Sequence, residues 1–131
     1  MSTPSLIEER RERLAGICLA LPEAEARPPI SQHTAFEVRG KKFAYYLVNH
    51  HGDGRVALWC RAGPGMRDVI VGSDPARFFV PAYLGPRGWI GLDFDAADID
   101  WDEVAGLVIE SYCLIAPKRL AGLVVASRSP A

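Results

Sequence analysis

A chain of 131 residues with 49% hydrophobic and 24% charged side chains has enough apolar material for one buried core, and its composition excludes a disordered chain. A net charge of −1 excludes attraction of the whole molecule to nucleic acid through its overall field. No run approaches the roughly 20 apolar residues of a membrane span, and the charged stretch EERRER near the start lacks the apolar segment of a signal peptide. The sequence therefore reads as one soluble domain, 1–131 with a core about 5–123, expected in the cytoplasm.

In chain order, Thr3-Pro4-Ser5 with Glu8 has the spacing of a helix start. Leu14, Ile17, Cys18 and Leu21 continue it as a stripe at i, i+3, i+4, i+7, and Pro22 ends it. After the Arg27-Pro28-Pro29 break, Phe36–Arg39 and Lys42–Asn49 read as strands joined at Gly40. His50-His51-Gly52-Asp53-Gly54 is a turn in which Asp-Gly supplies positive φ, and Arg55–Arg61 returns as the next strand. Met66–Val71 predicts a short helix and Trp89–Phe94 a further strand. Asp100 and Glu103 cap a last helix, with Val104, Leu107, Val108, Ser111, Leu114 and Ile115 on one stripe and Pro117 as its stop. Hairpin-linked strands between helices predict an α+β fold: a two-layer antiparallel sheet packed by an N-terminal, a short middle and a C-terminal helix.

The charge is divided along the chain. Phe36–Gly91 carries eight Lys/Arg against Glu37, Asp53, Asp68 and Asp74, whereas Asp93–Glu103 carries six carboxylates and no base. Strand alternation sorts the side chains by face. Val56, Leu58 and Cys60, with Ile90, Leu92 and Phe94, are expected to face the helices, as are Phe36, Val38, Phe43, Tyr45 and Leu47. The opposite face then collects Arg39, Lys42, Tyr46, Arg55, Trp59, Arg61 and Trp89. Basic residues interleaved with flat aromatics suit a polyanion with stackable bases. The second face of a two-layer domain is equally well covered by loops or by a partner.

Few catalytic chemistries fit. Cys18, Cys60 and Cys113 are isolated in apolar runs and form no CxxC pair, which favours buried reduced thiols. The series DFDAADIDWDE has no register that supplies an EF-hand loop, so it reads as a strand end and helix cap. His33, His50, His51 and Asp53 are metal-ligand types, but adjacent His50 and His51 are expected to point apart. No GxSxG or phosphate-binding Gly loop is present, and Ser111 falls on a buried stripe without a base. No enzyme, metal or cofactor is expected.

Four motifs in order, HTAFEVRGKKFAYY, LWCRAGPG, FFVPAYLGPRGWIGLDF and DWDEVAGLVIESYCLIAPKRL, resemble the MmcQ/YjbR-like family of small bacterial proteins over about residues 10 to 123. The resemblance implies a YjbR-like fold, similar in layout to type III secretion chaperones. It also implies DNA binding, a role assigned to such members by analogy with a "double wing" domain of a phage transcription factor. The family's motif positions fall on Phe36, Arg39, Gly40, Lys41, Phe43, Pro81, Tyr83, Gly88, Trp89, Ser111, Tyr112 and Lys118. Ser31-Gln32 stands where the family often has Trp-Gly, and Arg61 where many relatives have Lys.

Together these observations give an expected nucleic-acid surface of Arg39, Lys42, Arg55, Arg61 and Arg87 on phosphates, with Trp59 and Trp89 stacking. The alternative is a protein-interaction or chaperone-like module that docks a peptide or a second copy on the same aromatic face. A small-ligand site under the 81–88 loop, using Tyr83, Trp89 and Lys118, ranks third.

Overall fold

The computed structural model describes residues 3–27 and 33–128. It is α+β, with element order α1 (Pro4–Leu19), β1 (Ala24–Ala26), β2 (Thr34–Val38), β3 (Lys41–Val48), β4 (Val56–Arg61), α2 (Arg67–Ser73), β5 (Phe78–Phe79), β6 (Trp89–Asp93), α3 (Trp101–Ile115) and α4 (Lys118–Arg128). The six strands form one antiparallel sheet in the order β1-β2-β3-β4-β6-β5. No described helix is long and apolar enough to cross a membrane. The Ser31-Gln32 departure and the Pro28-Pro29 break lie outside the described residues.

The helix starts are set by side-chain caps. Thr3 Oγ1 accepts from Leu6 N at 3.3 Å, and Asp100 accepts from the N–H groups of Asp102 and Glu103. Pro117 ends α3 as expected, but the chain then restarts as α4, a helix that the sequence pattern does not predict. Its buried Leu120 and Val124 join the core, while Leu123 and Val125 beside them are exposed, so the apolar residues of KRLAGLVVAS mark no single stripe. Strands β1 and β5, of three and two residues, are too short to show a period.

The core lies between the sheet and α1 and α3, where Leu14, Cys18, Phe36, Val38, Phe43, Tyr46, Leu58, Ile90, Phe94, Val104, Val108 and Tyr112 are buried. On α3 the buried positions are Val104, Val108, Ser111 and Tyr112, while Leu114 is exposed. Cys18 and Cys60 are buried free thiols and Cys113 is half-buried.

One irregularity corrects the alternation in β3. Phe36 pairs with Ala44 but Glu37 pairs with Lys42, so Phe43 is the extra residue of a β-bulge. Phe43 and Ala44 therefore both face the helices, and the parity beyond them is reversed. Tyr46 and Val48 point into the core, where Tyr46 Oη donates to Ile7 O at 2.7 Å, and Tyr45 and Leu47 point to the other face. Ser111 holds the bulge: its hydroxyl donates to Phe43 O at 2.6 Å and accepts from Arg61 N at 2.9 Å. Tyr112 packs edge-on against Phe43, ring centroids 5.4 Å apart, and donates to Pro22 O at 2.7 Å. The motif residues Phe36, Phe43, Ser111 and Tyr112 are thus core and bulge-forming, and Gly40 and Gly88 both sit at positive φ.

Candidate nucleic-acid interface

The face of the sheet away from α1 and α3 is built from the registers Tyr45↔Trp59, Trp59↔Gly91 and Phe79↔Gly91, with Arg61↔Trp89 as the neighbouring row. It is not an open aromatic platform. Trp59 and Trp89 are only 4% and 6% exposed, and with Leu47 and Ala57 they form a second small apolar cluster. Tyr45, Phe79, Leu84 and Ile115 close over it. At Gly91 a Cβ would overlap the Phe79 ring, so the glycine lets Phe79 lie flat across the sheet.

The cover is supplied by residues 80–88. Pro81 is buried, Gly85 N donates to Pro81 O, and Arg67 Nη1 reaches from α2 to Gly85 O at 2.6 Å. A 3₁₀ turn at Gly85–Arg87 and the left-handed Gly88 then return the chain to β6. The segment FFVPAYLGPRGW is therefore a lid anchored on the sheet it hides, with Tyr83 left 78% exposed.

Each residue expected to bind phosphate or base has a definite place. Lys42, Arg61 and Arg87 are exposed and have no ion-pair partner among the described residues. Lys42 stands opposite Glu37, a buried carboxylate held by Arg27 at 2.9 Å. Arg55 lies at the other end of β4, half-buried, its guanidinium 4.0 Å over the Phe79 ring. Arg39 leaves the face altogether. It occupies the β2–β3 turn at φ 51° and binds both Glu23 carboxylate oxygens, at 2.6 and 3.0 Å, on the helix side. That fork holds the Glu23 carboxyl below the usual carboxylate range. The two tryptophans are covered and do not offer their faces for stacking, so the surface expected from alternation is corrected to Lys42, Arg61 and Arg87.

Two motif lysines join these three from the side. Lys41 and Lys118 line a groove of about 570 Å³ with Val38, Arg39, Leu114, Ile115 and Pro117. The start of β3, the end of β4, the start of β6 and the α3–α4 turn all fall at one end of the sheet, and they carry Lys41, Lys42, Arg61, Arg87 and Lys118. The opposite end carries Asp93, Asp95, Asp98, Asp100, Asp102 and Glu103. There Arg10 pairs with Asp95 at 2.7 Å, and Arg77 forks to Glu103 and reaches Asp74. A net charge of −1 thus conceals a molecule with a basic end and an acidic end.

Sequence reasoning missed the histidine turn as part of this face. His50 packs edge-on to Trp59 at 5.1 Å, His51 lies 4.1 Å from His50, and Tyr83 lies 5.9 Å from His51. The adjacent histidines do not diverge, because His51 adopts φ 51° and folds its ring back on His50. No group of three or more His, Cys, Asp or Glu among the described residues has the arrangement to hold a metal ion. Burial pushes the His33 and His50 pKa values down, helped by the neighbouring imidazoles.

A two-layer α+β domain with a lidded outer face and a basic end is the class these features define. Residues 19–114 match the YjbR family model, and the chain belongs to that family. The fold is similar to that of Deinococcus radiodurans protein DR2400, described by the domain DUF419, with a TM-score of 0.67 at 16% identity over 88% of this chain and 87% of that one. No curated protein matches the sequence.

Proposed function

We propose that this YjbR protein is a non-enzymatic DNA-binding module of the bacterial cytoplasm that contacts phosphates through its basic end. The observation that carries the reading is the set Lys41, Lys42, Arg61, Arg87 and Lys118, all exposed, without ion-pair partners among the described residues, and on one end of the sheet. Cations left unpaired on a near-neutral protein, with the carboxylates at the far end, suit a polyanion that docks end-on. Arg61 and Arg87 carry planar forks suited to phosphate oxygens, and the lysines add point charge.

Fluorescence anisotropy of labelled single- and double-stranded DNA, at low and physiological salt, tests this. Binding should fall steeply with salt, and the Arg61→Ala/Arg87→Ala variant should flatten the logarithmic salt slope by about 1 for each phosphate it no longer neutralises. Absence of binding at low salt overturns the proposal. So does a salt-insensitive association, which would instead favour a peptide or a second copy of the chain at an apolar interface.

A further inference from the structure

The groove of about 570 Å³ at the basic end has an apolar lining that phosphate binding does not use. Two segments line it, residues 38–41 at the β2–β3 turn and residues 113–118 from the end of α3 into α4. Glu23 ties the two together. Its carboxylate accepts from the Arg39 fork at 2.6 and 3.0 Å and from Arg119 of α4 at 3.5 Å. That pairing offsets the Arg39 charge, so Lys41 and Lys118, both exposed, are the cations left to the groove. No carboxylate lines it among the described residues. The rest of the lining is apolar, chiefly Val38, Leu114, Ile115 and Pro117, and Leu114 is left 38% exposed. The volume falls within the roughly 300–1,000 Å³ of small-molecule sites.

We propose that this groove binds a small organic anion with an apolar body, its head on Lys41 and Lys118 and its body against Leu114, Ile115 and Pro117. The lining asks for both halves. A bare anion would leave Leu114 and its neighbours in water, and a neutral apolar molecule would bring no charge to the two lysines. A duplex keeps its bases stacked inside, so it brings charge to this groove but no apolar body. The groove stands on its own geometry, and one consequence rests on the phosphate-binding reading. A bound anion withdraws Lys41 and Lys118 from the five cations of the phosphate surface. The anion and DNA then oppose each other, each weakening the other's binding by the same factor.

The test titrates the protein with octanoate, with acetate as the head alone and octanol as the body alone, and follows side-chain methyl resonances. Octanoate should shift Val38, Leu114 and Ile115 and leave Leu19, Leu123 and Val125, which are exposed elsewhere, in place. Acetate and octanol at the same concentration should shift none of them. Lys41→Gln and Lys118→Gln, at exposed positions, should each weaken octanoate about 1.5- to fivefold. In the DNA titration, saturating octanoate should weaken binding and flatten the logarithmic salt slope by about 2, one for each lysine withdrawn. Fixed groove methyls, shifts spread equally over the exposed methyls of α1 and α4, or equal binding of acetate or octanol overturn the groove as a ligand site, whatever the DNA titration shows. Shifts confined to the groove with no DNA binding at any salt overturn the phosphate reading and leave the groove standing. Groove binding with an unchanged DNA salt slope overturns the shared use of the two lysines.

Discussion

The two faces of the sheet bury similar kinds of side chain by different means. One is sealed by α1 and α3, with Tyr46, Ser111 and Tyr112 each hydrogen-bonded. The other is sealed by a short lid, and it retains a cavity and a buried indole donor without a partner among the described residues. Left-handed residues and a buried polar atom without a partner among the described residues occur on the helix side as well, at Glu23, Arg39 and Thr34 Oγ1, so what sets the lid face apart is that its cover is a loop rather than helices. Loops carry recognition more often than packed helices do, and that contrast favours recognition on the lid side and stability on the helix side.

Adjacent residues on β4 give the sharpest comparison, since Leu58 and Trp59 point to opposite faces. Leu58→Ala should cost about 2–5 kcal/mol, because the helix side cannot collapse into the space left. Trp59→Phe should cost under about 1.5 kcal/mol, since it keeps a ring in place and removes a donor with no partner among the described residues. Chemical denaturation of both variants measures the pair. Equal losses would mean that the lid face is packed as tightly as the core, and the contrast would fail.

Ser111→Ala comes next. It strands a buried carbonyl at Phe43 and an N–H at Arg61, for an expected destabilisation of about 1–3 kcal/mol. Because the hydroxyl holds the bulge, the same change should loosen β3 beside β4, and hydrogen exchange of Arg61 N–H should accelerate more than that of Leu58. Unchanged exchange at Arg61 would show that the bulge persists without its bridge.

Acid should act on the lid side through its histidines. His33 Nδ1 accepts from Val48 N at 3.3 Å, and a protonated imidazole has no acceptor left to give. The folded pKa values of His33 and His50 lie below the ordinary value, with burial as the first cause. The unfolded chain therefore binds protons first, so stability is full above about pH 6.5 and is lost as pH falls through the lowered folded values. A His33→Gln/His50→Gln variant should flatten that slope in thermal melts between pH 7 and 5. An unaltered slope would assign acid sensitivity to other groups.

How much of the molecule is legible in its sequence follows the same division. The faces of β2, β4 and β6 are readable because Val56, Leu58, Cys60 and Ile90, Leu92, Phe94 repeat with period two. β3 misleads beyond Phe43 because KKFAYYLV is apolar on both sides, so alternation carries no signal to place the bulge. Its only trace is Ser111, polar on a buried helical stripe. The basic residues are visible, but not that Arg39 is drawn to Glu23, sixteen positions away, or that the lid covers both tryptophans. Those are long-range contacts, and local patterns do not encode them.

The smallest expected effect on stability bears most directly on the contrast. Tyr83 is exposed yet holds φ 64°, a conformation that glycine adopts freely and tyrosine does not. If its side chain contributed only to folding, little would sustain that cost, since its ring is largely exposed and its one aromatic neighbour among the described residues is His51, edge-on. Tyr83→Gly should therefore leave stability unchanged or raise it by up to about 1 kcal/mol, while weakening single-strand binding by removing an exposed ring on which a base can stack. A variant that gains stability and loses binding identifies Tyr83 as strained for recognition, and a variant that loses stability instead makes the ring part of the lid's own packing.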